Sequence, residues 1–124
     1  MENLVNCDII IDIYDIVLIS GGNRRFEIVF LTKEKERYKI VFDCVWDLRY
    51  SIENGYIDRC FNFIRKAERH SDVLIVENSK YIEYFRKQVS ETLPADELRN
   101  YIVFDKIDTV VEVLANADPI LVKL

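Results

Sequence analysis

RFEIVFLTKEKERYKIVFDCVW, residues 25–46, carries the clearest structural signal in this chain. Apolar side chains occupy every second position from Phe26 to Phe30 and again from Tyr38 to Trp46. This alternation is typical of β-strands that bury one face. The polar residues 33–36 separate the two halves and suit a turn. The segment therefore predicts two antiparallel strands.

The residues before this pair predict another strand and a hairpin. Between Cys7 and Ser20, apolar residues of one parity recur at Ile9, Ile11, Ile13, Val17 and Ile19. Asp15 interrupts that face and indicates a bulge or the rim of a sheet, because so long a strand usually bends. The following Gly21-Gly22-Asn23 can adopt positive φ angles, which favours a tight turn into residues 25–32.

Residues 47–67 admit two interpretations. The apolar residues at helical spacing are Leu48, Ile52, Tyr56, Cys60 and Phe63. We expect a helix, since the apolar residues after Gly55 fit one helical face and a glycine inside a helix costs only about 1 kcal/mol. The alternative is a β-hairpin, because the residues from Trp46 to Ile52 also alternate and Asn54-Gly55 is a strong turn signal.

The second half of the chain predicts further strands and a second helix. Residues 73–76 form a short apolar run that is typical of a buried strand. Asn78 or Ser79 can cap a helix in which apolar residues repeat at spacings of three and four up to Val89. Residues 101–105 predict a strand. Residues 109–115 predict a strand or a short helix, with their β-branched valines favouring the strand, and residues 119–124 can pack as an edge.

These elements predict a single α+β domain spanning residues 1–124. Its core is a mainly antiparallel sheet of five or six strands with two helices packed on it. Half of the residues are apolar, and a chain of 124 residues can bury roughly two thirds of the surface that it exposes when unfolded. No internal repeat or linker divides the sequence.

Charge and composition exclude several classes of protein. The chain has 17 basic and 22 acidic residues, and its net charge of −5 repels phosphate backbones, so we expect no nucleic-acid partner. Asp12 and Asp15 interrupt the best apolar stretch, so no segment approaches the roughly 20 apolar residues that cross a membrane. Three widely spaced cysteines and a start without a secretory signal predict a cytoplasmic protein.

Residue types that carry catalysis are scarce. One histidine, three glycines and no closely spaced pair of cysteines leave no motif for zinc, a dinucleotide or histidine-based catalysis. The consecutive His70, Ser71 and Asp72 cannot form a triad, because the side chains of neighbouring residues diverge. We expect no enzyme activity, no metal and no cofactor. A small enzyme that uses two carboxylates is an alternative, and the candidates for such a pair are Asp43, Asp47, Glu53, Glu77, Asp105, Asp108 and Glu112.

The carboxylates and tyrosines instead point to a protein partner. An acidic face with tyrosines at its edge can bind a basic protein, since tyrosine offers a large contact area at little cost in rotamer entropy. The residues predicted for the charged part of that face are Asp12, Asp43, Asp47, Glu53, Glu77 and Asp108. A homo-oligomer that uses an exposed sheet edge or an apolar helix face is the alternative.

Part of the sequence resembles a group of known proteins. The segments Trp46-Asp47-Leu48-Arg49, Ile52-Glu53, VENSKYI at residues 76–82, and Glu112-Val113-Leu114 with Pro119 look like small uncharacterised proteins, chiefly of Gram-positive bacteria. Some of these resemble immunity proteins that are encoded beside polymorphic toxins. The resemblance implies a cytosolic antitoxin that occupies a toxin domain and blocks its site. An acidic chain would match a basic toxin such as a nuclease.

Overall fold

Nine strands and one helix make up the described part of the chain, residues 1–52, 71–89 and 98–124 of a computed structural model. The elements are β1 (Asn3–Asn6), β2 (Asp15–Gly22), β3 (Arg25–Leu31), β4 (Arg37–Phe42), β5 (Val45–Ile52), β6 (Val73–Glu77), α1 (Lys80–Gln88), β7 (Arg99–Phe104), β8 (Thr109–Ala115) and β9 (Ile120–Lys123).

The strands form two sheets. The five-stranded sheet has the order β1-β6-β7-β8-β5, and the four-stranded sheet has the order β2-β3-β4-β9. Every neighbouring pair is antiparallel. Among the described strands, the edges are therefore β1 and β5 in one sheet and β2 and β9 in the other.

The main core lies between the two sheets. Ile28, Phe30, Ile40 and Phe42 enter it from the four-stranded sheet, and Tyr101, Val103, Val111 and Val113 enter it from the five-stranded sheet. The rings of Phe42 and Tyr101 meet edge to face, with their centroids 5.6 Å apart. Full burial of each such side chain contributes about 1.5–3 kcal/mol to the stability of the fold. Because the apolar side chains alternate along the strands, they lie on the inner faces and hold the two sheets together.

Helix α1 packs on the opposite face of the five-stranded sheet. Tyr81, Ile82 and Phe85 of α1 contact Leu114 of β8 and Trp46 of β5. The Ser79 side chain accepts a hydrogen bond from the amide of Ile82, so the predicted cap at residue 79 is confirmed.

The predicted α+β fold, with one sheet and two helices, is wrong. The structure has two sheets with nine strands in total, and the described residues contain one short helix. The terminal strands explain part of the difference. β1 and β9 have four residues each and form by pairing with β6 and β4, which lie far away in sequence. Periodicity within a segment does not detect such pairing.

The helix expected to begin at Asp47 is also wrong over its first turns. Asp47 to Ile52 belong to β5, which pairs with β8 and places Arg49 opposite Glu112. Leu48 packs in the core between the sheets while Arg49 lies on the other face, so the period of two overrides the helical spacing. The rest of that predicted helix, residues 53–67, lies outside the described residues.

Other sequence predictions are confirmed with shifted boundaries. The hairpin of β3 and β4 pairs Phe26 with Phe42, but β4 ends at Phe42 because Cys44 adopts a positive φ of 55°. The bulge expected near Asp15 occurs between Ile16 and Leu18. The strand expected from Cys7 begins only at Asp15. Residues 109–115 form β8, and the tail supplies the edge strand β9.

Candidate functional site

A surface groove of about 430 Å³ lies at one end of the sandwich. It is formed by residues 10–14, which precede β2, by Thr32, Lys33, Glu34 and Glu36 between β3 and β4, and by Lys106 between β7 and β8. All three segments are connections between strands. We refer to this feature as the end groove.

Backbone hydrogen bonds hold residues 9–14 in place although they form no strand. The Ser71 hydroxyl donates to the carbonyl of Ile9 at 2.9 Å and accepts from the amide of Ile11 at 3.1 Å. The amide of Asp72 donates to the carbonyl of Ile11 at 2.9 Å. Ile9 and Ile13 are buried by this arrangement, while Ile10 and Tyr14 are 57% and 44% exposed. The segment thus presents two apolar side chains to solvent from a fixed backbone.

Asp72 is the buried charge beneath the end groove. Its side chain is 3% exposed, and its carboxylate accepts a hydrogen bond of 2.8 Å from the amide of Ile13. The same carboxylate forms an ion pair with Lys106. A buried carboxylate needs such partners, because its removal from water otherwise costs several kcal/mol. The pair fixes the Lys106 side chain at the wall of the groove.

Asp105 organises the loop between β7 and β8. One carboxylate oxygen accepts from the amides of Ile107, Asp108 and Thr109 at 2.9–3.0 Å. The other oxygen accepts from the amide of Ile16 at 2.9 Å, which ties the loop to the start of β2. Exposed Ile107 and Asp108 are consequently held at the same end of the sandwich as the end groove.

The turn between β3 and β4 forms the opposite wall. The Thr32 hydroxyl accepts from the amide of Glu36 at 3.1 Å, and the Glu36 carboxylate binds Lys123 of β9 at 2.7 Å. Lys33 and Glu34, at the centre of this turn, line the end groove. Tyr38 also lines it and stacks on Phe30 with 5.8 Å between ring centroids, which anchors that wall to the core.

Some charged side chains of the end groove form ion pairs and others do not. Lys106 pairs with Asp72 and Glu36 pairs with Lys123. The carboxylates of Asp12 and Glu34 form no ion pair with another described residue, and Lys33 adds one positive charge. Exposed apolar side chains beside such carboxylates suit non-covalent contact with a basic surface. Among the described residues, no group of three or more metal-binding side chains is placed to hold a metal ion.

The structure distributes the predicted site residues over several surfaces. Asp12 lines the end groove and Asp108 lies in the loop at the same end. Asp43 follows β4 at the other end, where Arg25 donates to both of its oxygens at 3.1 and 3.2 Å. Glu77 ends β6 and accepts from Asn3 at 3.3 Å. Glu53 lies outside the described residues. The described members therefore do not share one acidic face.

Asp47 has a structural partner on the five-stranded sheet. The Tyr81 hydroxyl of α1 donates to its carboxylate at 2.8 Å. The guanidinium of Arg49 lies 3.8 Å from the centre of the Tyr81 ring and 3.3 Å from Glu112, which is 1% exposed. Burial and the hydrogen bond to Asp47 raise the pKa of Tyr81 far above its ordinary value. Asp47 therefore anchors α1 to β5.

A smaller pocket of about 190 Å³ lies beside β7. Its lining includes Cys7, Arg99, Tyr101 and Asp118. Tyr101 donates to Asp118 at 2.6 Å, and Arg99 binds the same carboxylate at 2.9 Å. Burial raises the pKa of the Cys7 thiol, and burial together with Asp118 raises the pKa of Tyr101. Both groups stay protonated near neutral pH, which makes them poor nucleophiles.

Asp12 is the predicted site residue that lines the end groove, whereas the two carboxylates that hold the groove together, Asp72 and Asp105, are not predicted to do so. In the sequence, Asp72 stands out only beside its neighbours His70 and Ser71, and Asp105 only as a candidate catalytic carboxylate. Asp105 did carry a local signal, since an aspartate that opens a short polar loop commonly accepts from the following amides. The pairing of Asp72 with Lys106, 34 positions away, had no signal in a single sequence.

Comparison with models of protein families, with curated proteins and with solved structures finds no match for this chain. Within the described ranges, no helix has the length and apolar character needed to cross a membrane.

Proposed function

We propose that this protein is a non-enzymatic binding domain that holds a partner protein at the end groove. The observation that supports this proposal is the fixed exposure of Ile10 and Tyr14 beside the carboxylates of Asp12 and Glu34. Large exposed apolar side chains at the centre of a contact supply most of its binding energy, while surrounding charges set specificity.

The rigidity of residues 9–14 favours binding. Ser71 and Asp72 hold the backbone of this segment through hydrogen bonds to Ile9, Ile11 and Ile13. Association then orders few additional groups, and each side chain that need not be ordered saves about 0.5–1.5 kcal/mol. Tyr14 and Ile10 thus act as preorganised anchors.

The expected partner is a basic protein. The carboxylates at the end groove and the net charge of −5 favour a positively charged partner and disfavour nucleic acid. The resemblance to immunity proteins supports a more specific form of the proposal, in which the chain acts in the cytoplasm as an antitoxin. It would cover the substrate site of a toxin domain, such as a nuclease, through stoichiometric binding.

Co-purification from the native host tests this proposal. A tagged chain is isolated at low and then at high salt, and retained proteins are identified by mass spectrometry. We expect one basic protein in a one-to-one complex that high salt weakens, because the charge contribution is screened. Asp12→Lys should abolish retention.

Glu83→Lys is the matched control, because this substitution makes the same change of charge at an exposed position on α1. It should retain the partner. Recovery of the tagged chain alone, or equal loss of the partner from both variants, would contradict binding at the end groove. A partner that is retained by every variant and withstands high salt would place the contact on another surface.

A further inference from the structure

The outer edge of β2 differs from the other edges of the two sheets. β2 pairs with β3 on one side, and among the described strands none pairs with its other side. From Ile16 to Gly22 the strand reads IVLISGG, without a charged side chain. A long, uncharged edge of this kind offers free backbone amides and carbonyls to another strand.

The other edges carry features that discourage pairing. β1 and β9 are only four residues long, and β9 ends with Lys123. β5 is as long as β2 but contains Asp47 and Arg49. Short edge strands and charged side chains are the usual protection against the addition of a strand. β2 has neither over residues 16–22.

Exposed apolar side chains extend from β2 onto the neighbouring edge strand. Leu18 and Tyr50 are 52% and 55% exposed, and Val17 and Ile52 are also exposed. A shallow depression of about 360 Å³ is lined by residues 16–19 of β2 and by Tyr50 of β5. We call Val17, Leu18, Tyr50 and Ile52 the edge surface. It spans the adjacent edges of both sheets.

Part of the β2 edge is already closed. Asp105 accepts the hydrogen bond of the Ile16 amide, and the bulge between Ile16 and Leu18 interrupts the regular strand. Both features confine any additional ladder to Leu18–Gly22. They also separate it from the end groove, which borders the start of β2 through residues 10–14.

We propose that the β2 edge pairs with the β2 edge of a second copy of this chain, in antiparallel orientation across a two-fold axis. Such pairing is self-complementary, because each copy offers the same uncharged backbone edge and the same apolar side chains. Charge favours this site over others: each copy carries a net charge of −5, and the segment from Ile16 to Gly22 lets two copies meet without like charges in contact. The two four-stranded sheets join into one sheet of eight strands.

Light scattering coupled to gel filtration, over a dilution series, tests this interface. The wild-type chain should reach twice its mass of 14.7 kDa at high concentration. Leu18→Lys should remain at the mass of one chain, because it introduces a charged side chain into the uncharged edge of each copy. Ile120→Lys is the matched control: Ile120 is 59% exposed on β9, the other edge of the same sheet, and this variant should still dimerise.

Circular dichroism shows whether Leu18→Lys is folded, and Ser20→Lys, at a second exposed position on β2, should give the same monomer. Hydrogen exchange should slow at the amides of Leu18–Gly22 as the concentration rises. A wild-type chain that is monomeric throughout the series overturns the proposal, as does a dimer that both β2 variants retain. Asp12→Lys should leave the dimer intact, so the two proposals fail independently.

Discussion

The buried carboxylate of Asp72, which immediately precedes β6, forms an ion pair with Lys106 in the loop between β7 and β8. The same carboxylate accepts the amide of Ile13, so one side chain connects three segments that are distant in sequence. The end groove depends on this connection, because Ile13 and Lys106 both line it.

Asp72→Ala should lower the free energy of unfolding by about 3 kcal/mol, since it removes the partners of a buried amide and a lysine. Urea denaturation followed by tryptophan fluorescence measures the change. Asp108→Ala, at an exposed position of the nearby loop, should stay within about 0.5 kcal/mol of wild type. Equal stability of the two variants would show that the Asp72 pair is dispensable.

Gly21 and Gly22 make a second matched pair. Gly21 has a φ of +156°, and a Cβ atom there would lie 2.7 Å from the Cα of Phe26. At Gly22 a Cβ atom would meet nothing within 4 Å. Gly21→Ala should therefore destabilise the chain by about 2–3 kcal/mol, while Gly22→Ala should change it by under about 0.5 kcal/mol. Thermal denaturation of both variants measures the difference. A larger loss of stability in Gly22→Ala than in Gly21→Ala would contradict this prediction.

The raised pKa values of two buried tyrosines predict a loss of stability at alkaline pH. Burial and hydrogen bonds to Asp47 and Asp118 raise the pKa values of Tyr81 and Tyr101 above the ordinary value of 10.0. Above that pH the unfolded chain releases protons that the folded chain retains, so the free energy of unfolding falls as the pH rises. Below it, the contribution of both groups is fully present.

Denaturation in urea at about pH 9 and about pH 11 measures this slope. Tyr81→Phe and Tyr101→Phe should each reduce the alkaline loss, since phenylalanine has no proton to release. Tyr84→Phe is the control, because the Tyr84 ring is 63% exposed. A slope that depends on Tyr84 and not on the two buried residues would refute the assignment.

The alternation from Phe26 to Phe42 is sufficient to predict β3 and β4 as antiparallel strands, because both strands bury one face against the same core. The order of the strands within the two sheets cannot be predicted from this alternation. The sequence of residues 47–52 favours a helix over a strand, and the segment is a strand because β8 places Glu112 beside Arg49. That choice is made by a residue about sixty positions away in sequence, beyond the reach of any local pattern.

The candidate site shows the same limit. Asp12 was predicted for a partner surface from its outward position, and the structure places it in the end groove. Asp47 had equal weight in the sequence, yet the hydroxyl of Tyr81 occupies its carboxylate. Two aspartates that look alike in the sequence can therefore differ in function, because the folded structure gives one of them a hydrogen-bond partner and leaves the other exposed. Ile10 has no such signal in the sequence, because its exposure follows from the hydrogen bonds that Ser71 and Asp72 make to the backbone of residues 9–13.

Tyr14→Ala separates binding from stability at the end groove. Because Tyr14 is largely outside the core, the variant should unfold within about 0.5 kcal/mol of wild type. Loss of an aromatic anchor at the centre of a contact should nevertheless weaken binding of the partner by about 2 kcal/mol, which raises the dissociation constant roughly thirtyfold. Calorimetry with the co-purified partner measures the affinity. Tyr84→Ala, a tyrosine exposed on α1, should bind as wild type, and a weakening that is equal in both variants would argue against the end groove as the contact.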